Sequence, residues 1–400
     1  MSNGFITIMT IQRKKGAALL FTSIGWFLVL SGRLTVSTLL IRIEDSLGID
    51  HAMAGYAITG MWFSYGIMQF PSGVLSDIKG RKITILCAFI SFGTAFLFLA
   101  LSFYYFLFFF FLVLLGIGSG CFQTASISML SDLYREDRGR ALGIQASSGS
   151  IAGLMPIVLP LLASRLHWRG IFLMWAVLSI TVAWLFYRYS GETTKLPGKV
   201  SLRERFADGL SVLNQKTTRL FFIVNLVLVF TWMGFNSFFP AYMIENKGLS
   251  SFKAGIAFSL VSFSGILLKP LIGILSDRYN KKIIIMILLF VTAAAAGVLV
   301  RTDSFTIICI VSFLLAFATS IFLVINSYLM HYWEEKGRGG KLGFYRSLTI
   351  LIGSPTSALI GYTATKYGFD FPFTALAVLL SAAAVMLLII NFIKRGSINN

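Results

Sequence analysis

The chain has 400 residues, of which 56% are hydrophobic and only 12% are charged. Soluble globular domains carry about 25% charged residues, so this composition excludes an ordinary water-soluble protein and indicates a chain that lies mostly in lipid. The net charge of +18 would suit a nucleic-acid partner. The basic residues instead fall in short segments between apolar runs, where topology signals belong. We therefore expect a lipid bilayer around the chain and no nucleic acid.

The apolar runs exceed about 18 residues and lack the alternating pattern of barrel strands, which predicts membrane-spanning helices. The sequence predicts twelve of them, at residues 16–42, 52–75, 83–102, 104–131, 141–163, 169–189, 219–243, 253–275, 283–300, 304–332, 342–365 and 371–393. The predicted fold class is therefore an all-α membrane protein with twelve transmembrane helices.

The Lys and Arg residues are divided unevenly between the two sides of the membrane. One set of alternate connecting segments holds 24 of them and the other set holds 7. Because cytoplasmic segments carry the excess of basic residues, both termini and the long polar segment are predicted to be cytoplasmic. We expect a multi-pass protein of the cell membrane with an N-terminal bundle (1–190), a cytoplasmic linker (191–218) and a C-terminal bundle (219–400).

An internal repeat with an offset of 200 positions relates the two halves of the chain. It is clearest in two decapeptides, residues 73–82 and 273–282, each of which follows one apolar run and precedes another. The repeated residues are Gly73, Leu75, Ser76, Asp77 and Lys82, which recur as Gly273, Leu275, Ser276, Asp277 and Lys282, with further matches of Ala54-Gly55 to Ala254-Gly255 and of Gly153 to Gly353. Such a repeat predicts two parallel halves with a transport path between them.

The first decapeptide carries the pattern G-x-L-x-D-x-x-G-R-K, and with it the chain resembles the major facilitator superfamily over nearly its whole length. The resemblance implies two pseudo-symmetric bundles of six helices. It also implies a conformational gate made of Gly73, Asp77, Gly80, Arg81, Lys82, Gly273, Asp277 and Arg278. In that family the Asp accepts hydrogen bonds from a helix N-terminus of the opposite half, a favourable place for an anion. The second copy departs from the pattern at Asn280 and Lys281, and the alternative is that these charges only set topology.

Two basic residues lie deep inside predicted spans, Arg33 in the first and Lys269 in the eighth, whereas Arg346 lies near the cytoplasmic end of the eleventh. Ionisable groups at membrane depth are costly and usually mark functional sites. Every Asp and Glu falls in a loop or at a span end, so no buried carboxylate is expected to carry a proton. The counterpart of Lys269 in the first half is the neutral Gln69, so topology does not require a charge there. Pro270 frees a carbonyl one turn earlier and allows a kink.

A cation followed by Pro in span eight is similar to the pattern of oxalate–formate exchangers and monocarboxylate transporters, in which the cation serves the anionic substrate. Monocarboxylate transporters also carry a basic residue in span one, which Arg33 matches. The chain departs from these families, because Gly265 stands where monocarboxylate transporters have Asp and no Lys lies mid-span in span eleven. The alternative for Arg33 and Lys269 is that both side chains snorkel to an interface.

Polar and aromatic side chains in other spans are candidates to complete the substrate site. They are Tyr65, Gln69, Gln123, Gln145, Trp232, Asn236 and Asn326. For each of them, a helix–helix hydrogen bond is the alternative to a substrate contact. No role is predicted for the three histidines, which lie in loops or at span ends.

These residues predict a secondary transporter that moves a small organic anion, either a carboxylate or a phosphorylated metabolite, by alternating access. One alternative is an exporter of apolar or cationic compounds, and another is a membrane sensor on the same scaffold that transports nothing. No nucleophile–base pair, phosphate loop or metal cluster is found in the loops, so we expect no enzyme activity, catalytic residue, metal or cofactor. By analogy with the fold, a monomer with a small-molecule substrate is expected.

Overall fold

The computed structural model describes residues 2–191, 202–333 and 338–396, and it describes side chains over 14–191, 206–333 and 340–390. All regular elements in these ranges are helical, including one 3₁₀ turn at Val212–Asn214. The helices are α1 (Ser2–Thr38), α2 (Leu40–Leu47), α3 (His51–Lys79), α4 (Arg81–Ala100), α5 (Tyr105–Leu133), α6 (Arg138–Ala152), α7 (Met155–Ala163), α8 (Trp168–Tyr189), α9 (Leu202–Ser211), α10 (Lys216–Glu245), α11 (Ser251–Phe263), α12 (Gly265–Arg278), α13 (Lys281–Arg301), α14 (Phe305–Leu315), α15 (Phe317–Tyr332), α16 (Arg338–Gly353), α17 (Thr356–Tyr367) and α18 (Asp370–Gly396).

Helices occupy each of the twelve positions predicted for membrane spans. Within the described ranges, nine segments are long and apolar enough to cross a membrane, and the bent pair of α6 and α7 would be a tenth. The helices at the other two positions are α3 and the α16–α17 pair, which pack against each other. This packing shields their more polar residues from lipid, so a helix there need not be apolar all round.

The fifth predicted span is broken rather than continuous. The axes of α6 and α7 differ by 41°, and Pro156 lies in the first turn of α7. Proline has no backbone N–H to bond the carbonyl of Ala152, and its ring crowds that carbonyl, which ends α6. The eleventh span is interrupted in the same manner between α16 and α17, where Pro355 precedes Thr356.

The first and eighth predicted spans also contain interruptions. Leu39 separates α1 from α2, so the first span is shorter than predicted and a separate short helix follows it. In the eighth span the interruption is at Ser264, whose hydroxyl donates to the carbonyl of Leu260. Pro270 lies within α12, so the irregularity precedes the proline by more than one turn instead of lying beside it.

Corresponding helices pack alike in the N-half (α1–α8) and the C-half (α10–α18). In the N-half, α4 packs on α8, α3 on α5, and α1 on α6 and α8. In the C-half, α13 packs on α18, α12 on α15, and α10 on α16 and α18. The prediction of two pseudo-symmetric bundles is therefore confirmed. The exact boundaries of the two bundles and the linker stay a prediction.

The halves approach most closely at the end of the bundle that contains His51, here called the His51 end; the opposite end is the linker end. A Cβ added to Gly55 would lie 2.5 Å from the carbonyl oxygen of Ser357 and 3.2 Å from the Cα of Gly361. A Cβ added to Gly255 would clash with the carbonyl oxygen of Pro156. The repeat of Gly55 as Gly255 thus reflects two equivalent helix crossings between the halves, because only glycine lets backbones come this close.

The predicted linker contains a helix, α9, that the sequence analysis treats as polar loop. The ring of Phe206 on α9 lies 6.3 Å from the Phe70 ring on α3 and 5.1 Å from the Phe344 ring on α16, centroid to centroid. Phe344 also covers Gly209, so that α9 packs directly on α16. The linker helix therefore contacts both halves at the linker end through aromatic side chains.

Candidate functional site

Arg33 lies inside the bundle and is 5% exposed. Its guanidinium carbon is 4.0 Å from the ring centroid of Tyr65 and 4.8 Å from that of Trp62, which are cation–π distances. Its Nε and Nη2 atoms are buried and have no hydrogen-bond partner among the described residues. Arg33 is therefore held by aromatic faces with two donors unused, which is not the arrangement expected of a snorkelling side chain.

Tyr65, Gln69 and Gln123 form a hydrogen-bonded group beside Arg33. The Oε1 of Gln123 accepts from the Tyr65 hydroxyl and, at 2.9 Å, from the Nε2 of Gln69. Trp62, Tyr65 and Gln69 lie three and seven positions apart on α3, a spacing that places them on one helix face. The structure brings the predicted residues Tyr65, Gln69 and Gln123 together with Arg33. Trp62 was not predicted, and this spacing is the signal that would have found it.

The C-half meets this group through Trp232 on α10. The rings of Trp62 and Trp232 are 5.0 Å apart, edge to face, across the boundary between the halves. The amide of Asn236 donates to the carbonyl of Trp232 at 2.9 Å, within its own helix. Trp232 therefore lies next to the Arg33 cluster, defined here as Arg33, Trp62, Tyr65, Gln69 and Gln123, whereas the Asn236 side chain is committed to its own backbone.

Lys269 is only partly exposed and lies on α12, in the other half from Arg33. Its Cε and Nζ atoms lie beside Gly265, where an added Cβ would be 3.2 Å and 3.4 Å from them. The hydroxyl of Thr319 is in the same place, 3.3 Å from that position. In the described part of the chain the ammonium has no ion-pair or hydrogen-bond partner. The absence of a side chain at Gly265 leaves room for this folded-back lysine.

In the described part of the chain, neither Gln145 nor Asn326 makes a hydrogen bond to the Arg33 cluster. Gln145 is 5% exposed and donates to the Oγ of Ser126 at 2.8 Å, so the alternative of a helix–helix hydrogen bond fits it. The Oδ1 of Asn326 on α15 is buried and finds no partner within the described ranges. Among the nine residues predicted for the substrate site, the structure joins Tyr65, Gln69, Gln123 and Trp232 to Arg33 through ring contacts and hydrogen bonds. Within the described ranges, the side chains of Asn236, Lys269, Gln145 and Asn326 make no hydrogen bond to this group.

The first copy of the predicted gate is a network around Arg81. Its Nη1 donates to the Oγ of Ser76 at 2.6 Å and to the Oδ1 of Asp77, and its Nε donates to the Oδ2 of Asp132 at 3.1 Å. Gly80 ends α3 with φ +101°, a conformation that L side chains rarely adopt. The glycine and arginine of the pattern thus serve a turn and an ion pair that joins α3 to α5.

Lys82 and Gly73 are the other predicted gate residues of the first copy. Lys82 donates to the carbonyl of Ser190 at 2.8 Å, at the end of α8. A Cβ on Gly73 would only touch Thr124, at 3.5 Å. The contact predicted between Asp77 and the opposite half stays a prediction.

The second copy makes the corresponding turn without a glycine. Asn280 lies at φ −62° and its side chain accepts from the backbone N–H of Lys282, which caps α13. Lys281 reaches the Oγ of Ser327 at 2.9 Å and the Oδ1 of Asp277 at 3.5 Å. Lys281 therefore links α13 to α12 and α15 much as Arg81 links its own helices.

Two other predicted gate residues of the second copy have no such contact. Arg278 is exposed, and in the part of the chain that the structure describes its side chain makes no hydrogen bond or ion pair. Gly273 has nothing within 4 Å of an added Cβ. The repeat at these positions is therefore not explained by packing in this conformation.

A carboxylate and a histidine at the His51 end were missed. Glu44 lies beyond the first predicted span, as expected of an acidic residue, but it is 5% exposed, so this carboxylate is buried although it lies outside a span. It bonds His51 at 3.0 Å, and His51 bonds Glu245 of the other half at 3.1 Å. No sequence signal pairs these residues, because Glu245 is 194 positions away from His51.

Two cavities lie away from the Arg33 cluster. One, of about 660 Å³, is an open groove between α13 and α18 whose lining includes Phe290, Gly297, Arg301 and Val385. The other, of about 370 Å³, lies at the His51 end of the N-half beside Arg42. The larger groove is mostly apolar with one charged side chain, so it lacks the convergent polar groups that mark a small-molecule site.

A family model described as Major Facilitator Superfamily matches the chain twice, over residues 19–222 and 221–397. Together the two matches cover most of the sequence, and each covers about half of it. The repeat seen in the sequence and the pseudo-symmetry of the two halves agree with this double match.

Three curated relatives each align over most of the chain. The probable sulfoacetate transporter SauU of Cupriavidus necator is 22% identical and covers 92% of this chain and 91% of its own length. The D-galactonate transporter of Escherichia coli is 25% identical, with coverages of 88% and 90%. The multidrug resistance protein MdtG of Klebsiella pneumoniae is 24% identical, with coverages of 92% and 90%.

Solved structures agree on the fold. A bacterial homologue of the human lysosomal transporter Spinster, in an inward-facing and unoccupied conformation, superposes with a TM-score of 0.78. It is 16% identical in sequence, and the match covers 94% of this chain and 96% of that one. At this identity the likeness establishes the architecture of two six-helix bundles and gives no information about the substrate.

Proposed function

Because the chain belongs to the Major Facilitator Superfamily, we propose that it carries a small organic anion across a cell membrane by alternating access, with Arg33 binding the anion. The observation that carries this proposal is the buried guanidinium whose Nε and Nη2 have no partner among the described residues. A buried charge without a counterion is strongly destabilising. A carboxylate, sulfonate or phosphate oxygen pair would supply both the countercharge and the missing acceptors, in the fork geometry that arginine favours.

The charge around the site supports an anion over a cation. The described ion pairs include none with Arg33 or Lys269, so the interior carries two cations whose charges no side-chain carboxylate pairs. Lys269 lies in the other half and is proposed to meet the anion in a different step of the cycle. Relatives named as sulfoacetate and D-galactonate transporters act on anions, which agrees with the proposal.

The neutral groups of the Arg33 cluster favour an anion that also carries a hydroxyl or a similar polar group. Gln123 uses its Oε1 to accept two hydrogen bonds, which leaves its amide N–H groups free. Gln69 donates through Nε2 and keeps its Oε1 free. The cluster thus keeps one donor group and one acceptor without a partner among the described residues, and such a pair would orient a substrate hydroxyl.

Export of apolar compounds is the second candidate, and one observation favours it. Trp62 and Trp232 present aromatic surface at the boundary between the halves, and one relative is named as a multidrug resistance protein. Aromatic surface binds flat apolar molecules, but an uncompensated arginine beside it repels cationic ones. If the protein is an exporter, its substrate would therefore be an apolar compound that is neutral or anionic.

Thermal-shift measurements on the purified full-length chain test the proposal. The panel holds carboxylates, sulfonates, phosphate esters, neutral sugars and cationic dyes, since a ligand that binds only the folded form raises the melting temperature. We expect one class of anion to stabilise the protein and the effect to vanish in Arg33→Gln. The matched control is Arg165→Gln, because Arg165 is exposed at a span end.

Flux of the stabilising anion into proteoliposomes then separates transport from binding alone. Wild type and Arg165→Gln are expected to carry it, and Arg33→Gln is not. Unchanged binding and flux in a variant that lacks both Arg33 and Lys269 would refute the anion site. Stabilisation by dyes alone would replace the proposal with export, and binding without flux would indicate a sensor.

A further inference from the structure

Three titratable side chains meet across the two halves at the His51 end. Glu44 is on α2 and His51 is the first residue of α3, so both belong to the N-half, whereas Glu245 is the last residue of α10 in the C-half. The Nδ1 of His51 is 3.0 Å from each carboxylate oxygen of Glu44, and its Nε2 is 3.1 Å from the Oε2 of Glu245. The imidazole therefore bridges two carboxylates that come from opposite halves.

The geometry suits the protonated form of His51. A neutral imidazole has one N–H and one lone pair, so it would turn a lone pair toward one of the two carboxylates. The imidazolium donates from both nitrogens and pairs its charge with both partners. The ligand atoms of the three residues lie within 4.8 Å of one another, but since both ring nitrogens already face carboxylates, a proton accounts for the arrangement without a metal.

The titration of this group follows from its surroundings. Burial lowers the pKa of His51, but hydrogen bonds to Glu245 and Glu44 outweigh it and raise that pKa to about 10. Burial raises the pKa of Glu44, and the hydrogen bond to His51 opposes this shift. The neighbouring charge of Asp45 also raises the pKa of Glu44.

The other groups around His51 are neutral or engaged elsewhere. Asp50 caps the first turn of α3 by accepting from the backbone of Met53. From the C-half, the Phe369 ring lies 4.7 Å from the imidazole and the Phe238 ring 6.4 Å. On α18, Asp370 accepts from the hydroxyl of Tyr242. The two glutamates are therefore the partners that respond to the charge of His51.

We propose that Glu44, His51 and Glu245 form a latch that holds the two halves together at the His51 end while His51 is protonated and releases them when it is not. The proposal rests on the alternating access of the proposed function but not on the nature of the substrate. Opening of this end separates Glu245 from His51 because the residues are in different halves. The latch then contributes to the closed state only.

The sign of the pH dependence follows from linkage. In the closed state the hydrogen bonds to both glutamates raise the pKa of His51 to about 10. Once Glu245 has moved away, the part of this rise that Glu245 supplies is lost and the pKa falls toward its ordinary value, but not all the way, because Glu44 stays beside His51 in the same half. Closure therefore takes up a proton between these limits. The stabilisation is complete below the open-state pKa and is lost as the pH rises through about 10. Within this window the ratio of closed to open molecules falls by up to about tenfold per pH unit.

Distance measurements between spin labels on the two halves test the latch. In a full-length chain with Cys87, Cys121 and Cys309 replaced by serine, labels are placed at Ser164 and Ser304, which are exposed at the His51 end of opposite halves. Double electron–electron resonance then reports the closed fraction without substrate. We expect the long-distance population to grow between pH 7 and pH 9.5. Because this measurement is made without substrate, its result does not depend on whether a transported anion is found.

Four variants separate the latch from general destabilisation. His51→Gln and Glu245→Gln are expected to raise the long-distance population at pH 7 and to remove most of the pH dependence. His51→Arg keeps the charge and is expected to stay closed up to pH 9.5, which a merely structural histidine would not do. The control is His331→Gln, because the one hydrogen bond of His331 within the described ranges is to the carbonyl of Ser327 in its own helix, at the linker end. Wild-type distances that do not change with pH, or a His51→Arg that opens like wild type, would overturn the proposal.

Discussion

Replacing Gly55 by alanine is predicted to open the His51 end. An added Cβ would lie 2.5 Å from the carbonyl oxygen of Ser357 and 3.2 Å from the Cα atoms of Ala358 and Gly361. These neighbours are backbone atoms and cannot rotate away. The helices α3 and α17 must therefore move apart by about 1 Å to reach ordinary van der Waals contact. Overpacking of this kind costs about 1–3 kcal/mol.

The cost falls on the closed conformation, because only there do the two helices touch. Alanine also favours the helix over glycine by about 1 kcal/mol, but in both conformations equally. The ratio of closed to open molecules is therefore expected to fall by about 5- to 140-fold, since 1.4 kcal/mol corresponds to a factor of ten. Gly255→Ala on α11 is expected to act in the same direction, because its Cβ would clash with the carbonyl of Pro156.

Disulfide formation across the interface measures this shift. The backbone N–H of Ala52 donates to the hydroxyl of Thr365 at 3.0 Å, so cysteines at these two positions would cross-link when the end is closed. The rate is expected to fall in Gly55→Ala and to stay unchanged in Gly143→Ala, where nothing lies within 4 Å of an added Cβ. Equal cross-linking rates in the two variants would refute the steric reasoning.

Three further changes test other parts of the structure. Arg81→Ala removes the charged hydrogen bonds to Asp77 and Asp132 and is expected to cost about 1–2 kcal/mol, seen as a lower melting temperature; an unchanged melt would show that the network adds no stability. Gly80→Ala forces a side chain into φ +101° and is expected to cost about 1–3 kcal/mol by the same assay. Tyr65→Phe keeps the ring over Arg33 but removes the hydroxyl, so anion affinity is expected to fall about three- to tenfold in a ligand titration while the melting temperature of the free protein stays within a few degrees.

Much of the fold was predictable because the signals are local. Each span is a run of apolar residues long enough to cross the bilayer, and no partner is needed to recognise it. The features that the sequence did not predict were breaks within spans, at Leu39, Ser264 and Ala316 and beside Pro156 and Pro355. A break in a hydrophobic helix leaves its hydropathy unchanged, so composition does not reveal it, and proline marks the site only to within a turn or two.

The part of the candidate site in the N-half was predictable, because a charge within an apolar run and residues spaced on one helix face both indicate it. Arg33 stands out because an arginine inside an apolar run is costly, and Tyr65 and Gln69 share a face of α3 with Trp62. The structure has not tested whether any of them binds a substrate, and that stays a prediction. Lys269 stood out for the same reason as Arg33, but charge alone does not reveal that its side chain lies against Gly265 and Thr319.

By itself, the sequence determined the approximate positions of the spans, the repeat at an offset of 200 and the presence of an arginine inside the first span. These depend on residue type and short-range periodicity, which are properties of one segment at a time. Only the tertiary structure decided which residues meet across the halves: Trp62 with Trp232, and His51 with Glu245. Such contacts depend on how two finished bundles dock, and no local pattern records that distance or orientation.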